Sequence, residues 1–144
     1  MNISDCMTRE VRTISLDNSL QSAAQTMGDL DCGFLPVVDG ERIVGIVTDR
    51  DIAVRGMGRG LEANAGVSEV MSQDVCYCFE DDTAEDVLIN MSDIQVRRLP
   101  VLDRAKRLVG IVSISDLASN GEASAAGVTL GDIARPSECH SQRL

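Results

Sequence analysis

Residues 45–51 read Gly-Ile-Val-Thr-Asp-Arg-Asp and residues 110–116 read Gly-Ile-Val-Ser-Ile-Ser-Asp. One strand-to-helix corner is therefore written twice, each time with a hydroxyl and an aspartate three residues apart. The repetition extends beyond the corner, because Met7, Val11, Met27, Pro36 and Asp39 recur as Met71, Val75, Met91, Pro100 and Asp103, each 64 positions later. After Asp103 the offset grows by one residue, as in Gly45 to Gly110, so the second copy carries a longer turn. A chain built from two copies of roughly 60 residues must fold as two related units or as one pseudo-symmetric body.

Boundaries follow from a third echo. Ile3-Ser-Asp-Cys-Met7, Val67-Ser-Glu-Val-Met71 and Leu130-Gly-Asp-Ile-Ala134 share an apolar, small, acidic, apolar pattern. The reading is repeat 1 over 1–66, repeat 2 over 67–127, and a closing segment with a polar tail over 128–144. A lone unit of this size hides only ~60 % of its unfolded surface against ~70 % for the pair, so the halves are expected to fold together.

Each copy reads as a short strand, a helix, two strands and a second helix, an α/β (α+β) pattern of β-α-β-β-α. Ser19 and Thr83 are placed as N-caps. Leu20, Ala23, Ala24 and Met27, with Ala84, Val87, Leu88 and Met91 in the second copy, recur at helical spacing. Leu35–Val38 and Ile43–Val47 read as strands joined at Asp39-Gly40, a hairpin signal. The counterpart from Asp103 to Arg107 lacks the glycine and predicts a three- or four-residue turn. The second helix begins at Thr48 or Ser113. Gly56-Met-Gly-Arg-Gly60 follows a predicted helix instead of a strand, which excludes a phosphate loop, and Gly56 is expected to end that helix in the left-handed conformation.

A net charge of −10 repels polyanions, and only Phe34, Tyr77 and Phe79 could stack on bases, so nucleic acid is excluded as a partner. No apolar run approaches a membrane span, and no signal peptide is visible, so a soluble cytoplasmic protein is expected. Of five cysteines, Cys6, Cys32 and Cys78 stand where the other copy has Val70, Val96 and Ile14, and are read as small core hydrophobes. Cys76 and Cys78 would face the same way on a strand, leaving a redox or metal pair open. Cys139 and His140 sit in the polar tail, and no catalytic constellation is apparent, so no enzyme is expected.

The openings Met7-Thr and Met71-Ser, the strands Leu35-Pro-Val-Val-Asp39 and Leu99-Pro-Val-Leu-Asp103, and the paired Gly-Ile-Val-[Thr/Ser]-x-x-Asp corners, in this order and twice, resemble the CBS domain. This regulatory module is named after cystathionine β-synthase. The resemblance covers about residues 1–127. It implies tandem repeats packed sheet to sheet with pseudo-two-fold symmetry, two clefts between them, and association into flat homodimers. It also implies an adenosine ligand such as AMP, ADP, ATP, S-adenosylmethionine or NAD(H), with no cofactor required, and a regulated protein partner.

A hydroxyl at the start of a helix sits beside unpaired amides that suit a phosphate, which nominates Thr48 and Ser113. One turn on, Asp51 and Asp116 are placed to accept from ribose hydroxyls. The resemblance adds adenine contacts from backbone near Thr8 to Val11 and Ser72 to Val75, and phosphate contacts from Arg97 and Arg98, the basic pair before Leu99. Those arginines need not serve the corner of their own repeat. Arg50 and Arg55 are secondary candidates, with a solvated helix face as the plainer account. Because Gly33-Phe34 becomes Arg97-Arg98 and Asp49-Arg50 becomes Ile114-Ser115, two inequivalent clefts are expected. The plain alternative for either corner is a capping box, which stabilises a helix with no ligand at all. A ligand-free dimerisation scaffold and a cysteine-based redox or metal sensor are the other functional readings.

Overall fold

A computed structural model describes residues 1–134. Cys139, His140 and the rest of the predicted tail from 135 lie outside the described residues. The chain divides into two compact units. One gathers Glu10–Cys76 with Ala105–Leu108, and the other gathers Met1–Arg9, Tyr77–Arg104 and the described residues from Val109 to Ala134.

In the first of these units, β1 (Ile14–Ser15) leads into α1 (Leu20–Leu30), followed by β2 (Phe34–Asp39) and β3 (Arg42–Thr48). The sheet is mixed, with β1 parallel to β2 and β2 antiparallel to β3. Helix α1 starts where predicted, since the Ser19 hydroxyl accepts from the Ser22 amide at 3.1 Å. Its inner face is Leu20, Ala23 and Met27, while Ala24 is turned outward. Gly40, at φ 65°, supplies the left-handed residue of the tight hairpin between β2 and β3.

The other unit repeats the plan with β4 (Cys78–Phe79), α2 (Ala84–Ile94), β5 (Arg98–Leu102) and β6 (Leu108–Ser113), the sheet running in the order β4, β5, β6. Thr83 caps α2 through the Asp86 amide at 3.2 Å. The connection between β5 and β6 is longer than predicted, covering Asp103 to Arg107 with Lys106 at φ 63° in place of a glycine. After β6 come α3 (Ile114–Leu117), a wider helical stretch, and α4 (Ala123–Ile133). Non-helical dihedrals at Asn120 and Gly121 break the path before α4.

Each unit's core is closed by a short 3-10 turn that lies at the opposite end of the sequence repeat. Val67 and Val70, from the Val67–Glu69 turn and its end, are buried with Ile14, Leu20, Leu35 and Val47. Ile3 and Met7, from the turn at Ile3–Asp5, are buried with Leu88, Met91, Leu99 and Val112. The same segments satisfy the first amide of each long helix, a donor with no partner inside its own helix. Leu20 donates to the Ala65 carbonyl at 2.9 Å, and Ala84 to that of Met1 at 3.0 Å.

Two expectations need correction. Leu130 to Ala134 is not a third copy of this turn, because Leu130 to Ile133 belongs to α4, and Leu130 is 42 % exposed where Ile3 and Val67 are fully buried. The Ala-rich start favours helix, and Thr129 anchors it by donating to the Leu88 carbonyl at 3.2 Å. Gly56 does not end its helix in the left-handed region. It is right-handed and buried, and an added β-carbon would stand 3.0 Å from Leu20 Cδ1. Gly60, at φ 76°, is the residue that turns the chain.

Candidate functional site

At the end of β3 the Asp51 amide donates to Thr48 Oγ1 at 3.1 Å, while the Thr48 amide donates to Asp51 Oδ2 at 3.0 Å. The end of β6 is built alike. There the Asp116 amide donates to Ser113 Oγ at 3.1 Å, and the Ser113 amide to Asp116 Oδ2 at 2.9 Å. Both corners are thus complete capping boxes, and all four side chains are half-buried. The box uses only one oxygen of each carboxylate. In the β3 corner the second, Oδ1, lies 3.9 Å from Arg55 Nε.

The opening segment of the other sequence copy runs beside each corner. Ser72 exchanges backbone hydrogen bonds with Ile46 at 2.8 and 2.9 Å, two residues before Thr48. Thr8 does the same with Ile111 at 2.8 and 2.9 Å, two residues before Ser113. Gly45 and Gly110 make room for this approach. A β-carbon on Gly45 would fall 2.7 Å from Met71 Sδ and 2.9 Å from the Ser72 carbonyl oxygen. On Gly110 it would fall 2.6 Å from Met7 Sδ and 2.9 Å from the Thr8 carbonyl oxygen. The repeated glycines and the repeated Met-hydroxyl pairs were the only sequence signals of this pairing. Val11 and Val75 are half-buried in the unit of Glu10–Cys76, whereas Thr8 belongs to the other unit.

Charge separates the corners. The Arg97 carbonyl accepts from the Ile114 amide at 3.0 Å, so Arg97 stands at the corner of its own repeat, with exposed Arg98 next to it at the start of β5. The equivalent bond in the β3 corner runs from the Asp49 amide to the Gly33 carbonyl at 3.0 Å. Arg55 is drawn to that corner's own groups, with Nη1 donating to the Val70 carbonyl at 3.4 Å and Nε facing Asp51. Arg50 is exposed. Sequence reasoning missed the contact between Gly33 and Asp49. It was visible only as a glycine in one copy where the other has arginine.

Cys76 and Cys78 do not form a pair. Cys76 precedes β4 and is exposed, whereas Cys78 is buried and donates to the Pro100 carbonyl at 3.9 Å. Burial, reinforced by the nearby Asp82 carboxylate, pushes the Cys78 thiol up to about 12. Cys6 is also raised, by burial first and then by the Asp116 and Asp5 carboxylates. Among the described residues no group of three or more His, Cys, Asp or Glu side chains is arranged to hold a metal ion. No helix of the described residues is long and apolar enough to cross a membrane. An apolar hollow of about 240 Å³ between α1 and the Asp51–Gly56 turns is lined by Leu20, Ala24, Ile52, Met57 and Leu61, and by none of the predicted site residues.

Two mixed three-stranded sheets, each flanked by helices and ending in the same Ser/Thr–Asp corner, define a tandem-repeat regulatory module. The CBS domain family model matches residues 3–57 and 67–122, and the chain belongs to the CBS domain family as a tandem pair. It is 38 % identical over 133 residues to the CBS domain-containing protein YhcV of Bacillus subtilis, covering 92 % of this chain and 94 % of that one. Hypoxic response protein 1 of Mycobacterium tuberculosis is 36 % identical over 116 residues, 79 % of this chain and 80 % of the relative. A crystal structure of Hypoxic Response Protein I with two coordinated zinc ions matches at a TM-score of 0.75 and 35 % identity, over 83 % of this chain and 98 % of that one. The CBS domain pair of protein MJ0100, in complex with 5′-methylthioadenosine and S-adenosyl-L-methionine, matches at a TM-score of 0.74 and 27 % identity, over 86 % and 98 %.

Proposed function

We propose that this chain is a non-catalytic, cytoplasmic sensor that binds adenosine-containing ligands at its two Ser/Thr–Asp corners and reports their level through its shape or self-association as a homodimer. AMP, ADP, ATP and NAD(H) are the ligands to test, with S-adenosylmethionine and 5′-methylthioadenosine added because the MJ0100 pair is seen with both. The supporting observation is the architecture of each corner. A half-buried carboxylate is held in place by the box with one oxygen left over, beside an opening segment whose backbone runs two residues away. Such an arrangement fixes an acceptor for ribose hydroxyls at no cost in side-chain ordering when ligand arrives.

The decisive measurement is a thermal-shift panel of these compounds on the wild type and on Asp51→Asn with Asp116→Asn. Asparagine can still accept the cap bond through its amide oxygen, so a folded double variant separates capping from binding. Ligand is expected to raise the melting temperature of the wild type with occupancy and to leave the double variant unmoved. A double variant that still responds would reduce the corners to caps.

The completeness of both capping boxes favours a second reading, a ligand-free interaction scaffold. Under it the panel is silent while the dimer persists through substitution of both aspartates. A sensor built on a Cys76–Cys78 pair is disfavoured by the burial of Cys78 and its raised thiol.

A further inference from the structure

Asp51 and Asp116 hold equivalent places in the two corners, but the oxygens left over by their capping boxes meet different neighbours. Asp51 Oδ2 accepts from the Thr48 amide, while Oδ1 faces Arg55 Nε at 3.9 Å. The same guanidinium reaches the chain beside the corner, where Nη1 donates to the Val70 carbonyl at 3.4 Å. Arg55 therefore bridges the corner carboxylate and a backbone oxygen, all within the unit of Glu10–Cys76. A planar fork with donors on separate nitrogens suits that span. Four residues, one helical turn, separate Asp51 from Arg55, and the same step in the other copy leads from Asp116 to Asn120. Asn120 is short and uncharged, and its Nδ2 donates to the Asp116 backbone carbonyl at 2.6 Å instead of to the carboxylate. Non-helical dihedrals at Asn120 and Gly121 interrupt the helix at that point. Among the described residues no cation pairs with the Asp116 carboxylate.

We infer that Arg55 is an internal occupant of the β3 corner, holding the carboxylate oxygen to which a ribose hydroxyl would donate, so that the β6 corner fills first. The inference rests on the reading of both corners as adenosine sites and adds which of them is held back, and by what. A ribose diol presents two donors, and the box leaves each carboxylate one full oxygen to receive them. At the β6 corner that oxygen is open to a ligand. At the β3 corner a ligand must first part it from the guanidinium. An ion pair whose arginine is 45 % exposed is weak, so the competition amounts to a few-fold in affinity. It is a contact between charges set against a neutral diol, so added salt relieves it.

Isothermal titration of the full chain with adenosine, which carries no charge of its own, tests this. Asp116→Asn leaves only the β3 corner, and adding Arg55→Met to it is expected to tighten adenosine about two- to fivefold at low salt. Methionine keeps a long stem and a good helix former at an exposed position, so the fold is preserved. Raising the salt is expected to tighten adenosine at this corner while Arg55 is present, and to have no such effect in Arg55→Met. Asp51→Asn leaves only the β6 corner, where adenosine is expected to bind more tightly than in Asp116→Asn and to be indifferent to Arg55→Met. Weaker binding in Arg55→Met with Asp116→Asn would make Arg55 a ligand contact and overturn the inference. Unchanged affinity with unchanged salt dependence overturns it too, as does tighter binding at the β3 corner than at the β6 corner, and all three leave the adenosine sites standing. No binding of adenosine to the wild type or to any variant overturns the sites and the inference together.

Discussion

Gly110 and Met7 are packed so closely that a β-carbon on the glycine would lie 2.6 Å from the methionine sulfur, although they stand far apart in the sequence. Gly45 and Met71 repeat the relation at 2.7 Å. Each glycine in the Gly-Ile-Val strands is therefore the seat of an opening segment from the other sequence copy.

Gly45→Ala and Gly110→Ala are each expected to destabilise the fold by about 1–3 kcal/mol, the usual cost of overpacking. The methionine can swing aside, but the carbonyl oxygens of Ser72 and Thr8, each 2.9 Å from the added carbon, can move only with the backbone. Urea denaturation measures the loss, and an unchanged midpoint in both variants would show that the segments do not lie on these strands.

Removing a corner hydroxyl tests the boxes without touching charge. Thr48→Val and Ser113→Ala each delete the acceptor of an aspartate amide and are expected to cost about 0.5–2 kcal/mol. Equilibrium unfolding in the absence of ligand is the measurement, and stability equal to the wild type would mean that the boxes do not hold in solution.

Gly60→Ala is expected to cost about 1–2 kcal/mol, since φ 76° places the new β-carbon in the disfavoured left-handed region. Thermal unfolding reads it directly, and a stabilised Gly60→Ala would return the turn to some other residue.

Cys78 gives a pH dependence whose sign is fixed. Its folded thiol, at about 12, stands above the ordinary value of 9.0, so the folded chain holds this proton more tightly than the unfolded chain. The contribution is constant below pH 9 and falls as pH rises from 9.0 towards about 12. Cys78→Ala is expected to lose that part of the alkaline decline in stability followed by urea denaturation. A thiol reagent at neutral pH is expected to label exposed Cys76 at once and Cys78 only on unfolding. Equal labelling rates in the native state would contradict the buried position.

Much of the local structure was legible because its causes are local. Ser19 and Thr83 announce their helices by hydroxyls three residues before an amide they accept from, and Asp39-Gly40 announces a hairpin by a residue that tolerates positive φ. The capping boxes of Thr48 with Asp51 and Ser113 with Asp116 were equally plain, since both members lie within one helical turn. Gly56 misled because a glycine near a helix end has two uses. Here close approach of Leu20 decided the matter, and Gly60 took the turn. The pattern at Leu130 misled because four residues of an apolar and acidic motif fit an α-helix as well as a 3-10 turn.

The sequence by itself determined the two copies, the order of their elements, the caps and the corner residues, and the family that carries them. Only the tertiary structure decided which opening segment completes which unit, that Asp49 rests on Gly33, and that Cys78 is buried while Cys76 is not. The reason is degeneracy. Both copies carry the same Met-hydroxyl opening and the same glycine, so pairing within a copy and pairing across copies satisfy one pattern equally well. Packing of side chains distant in sequence chooses between them.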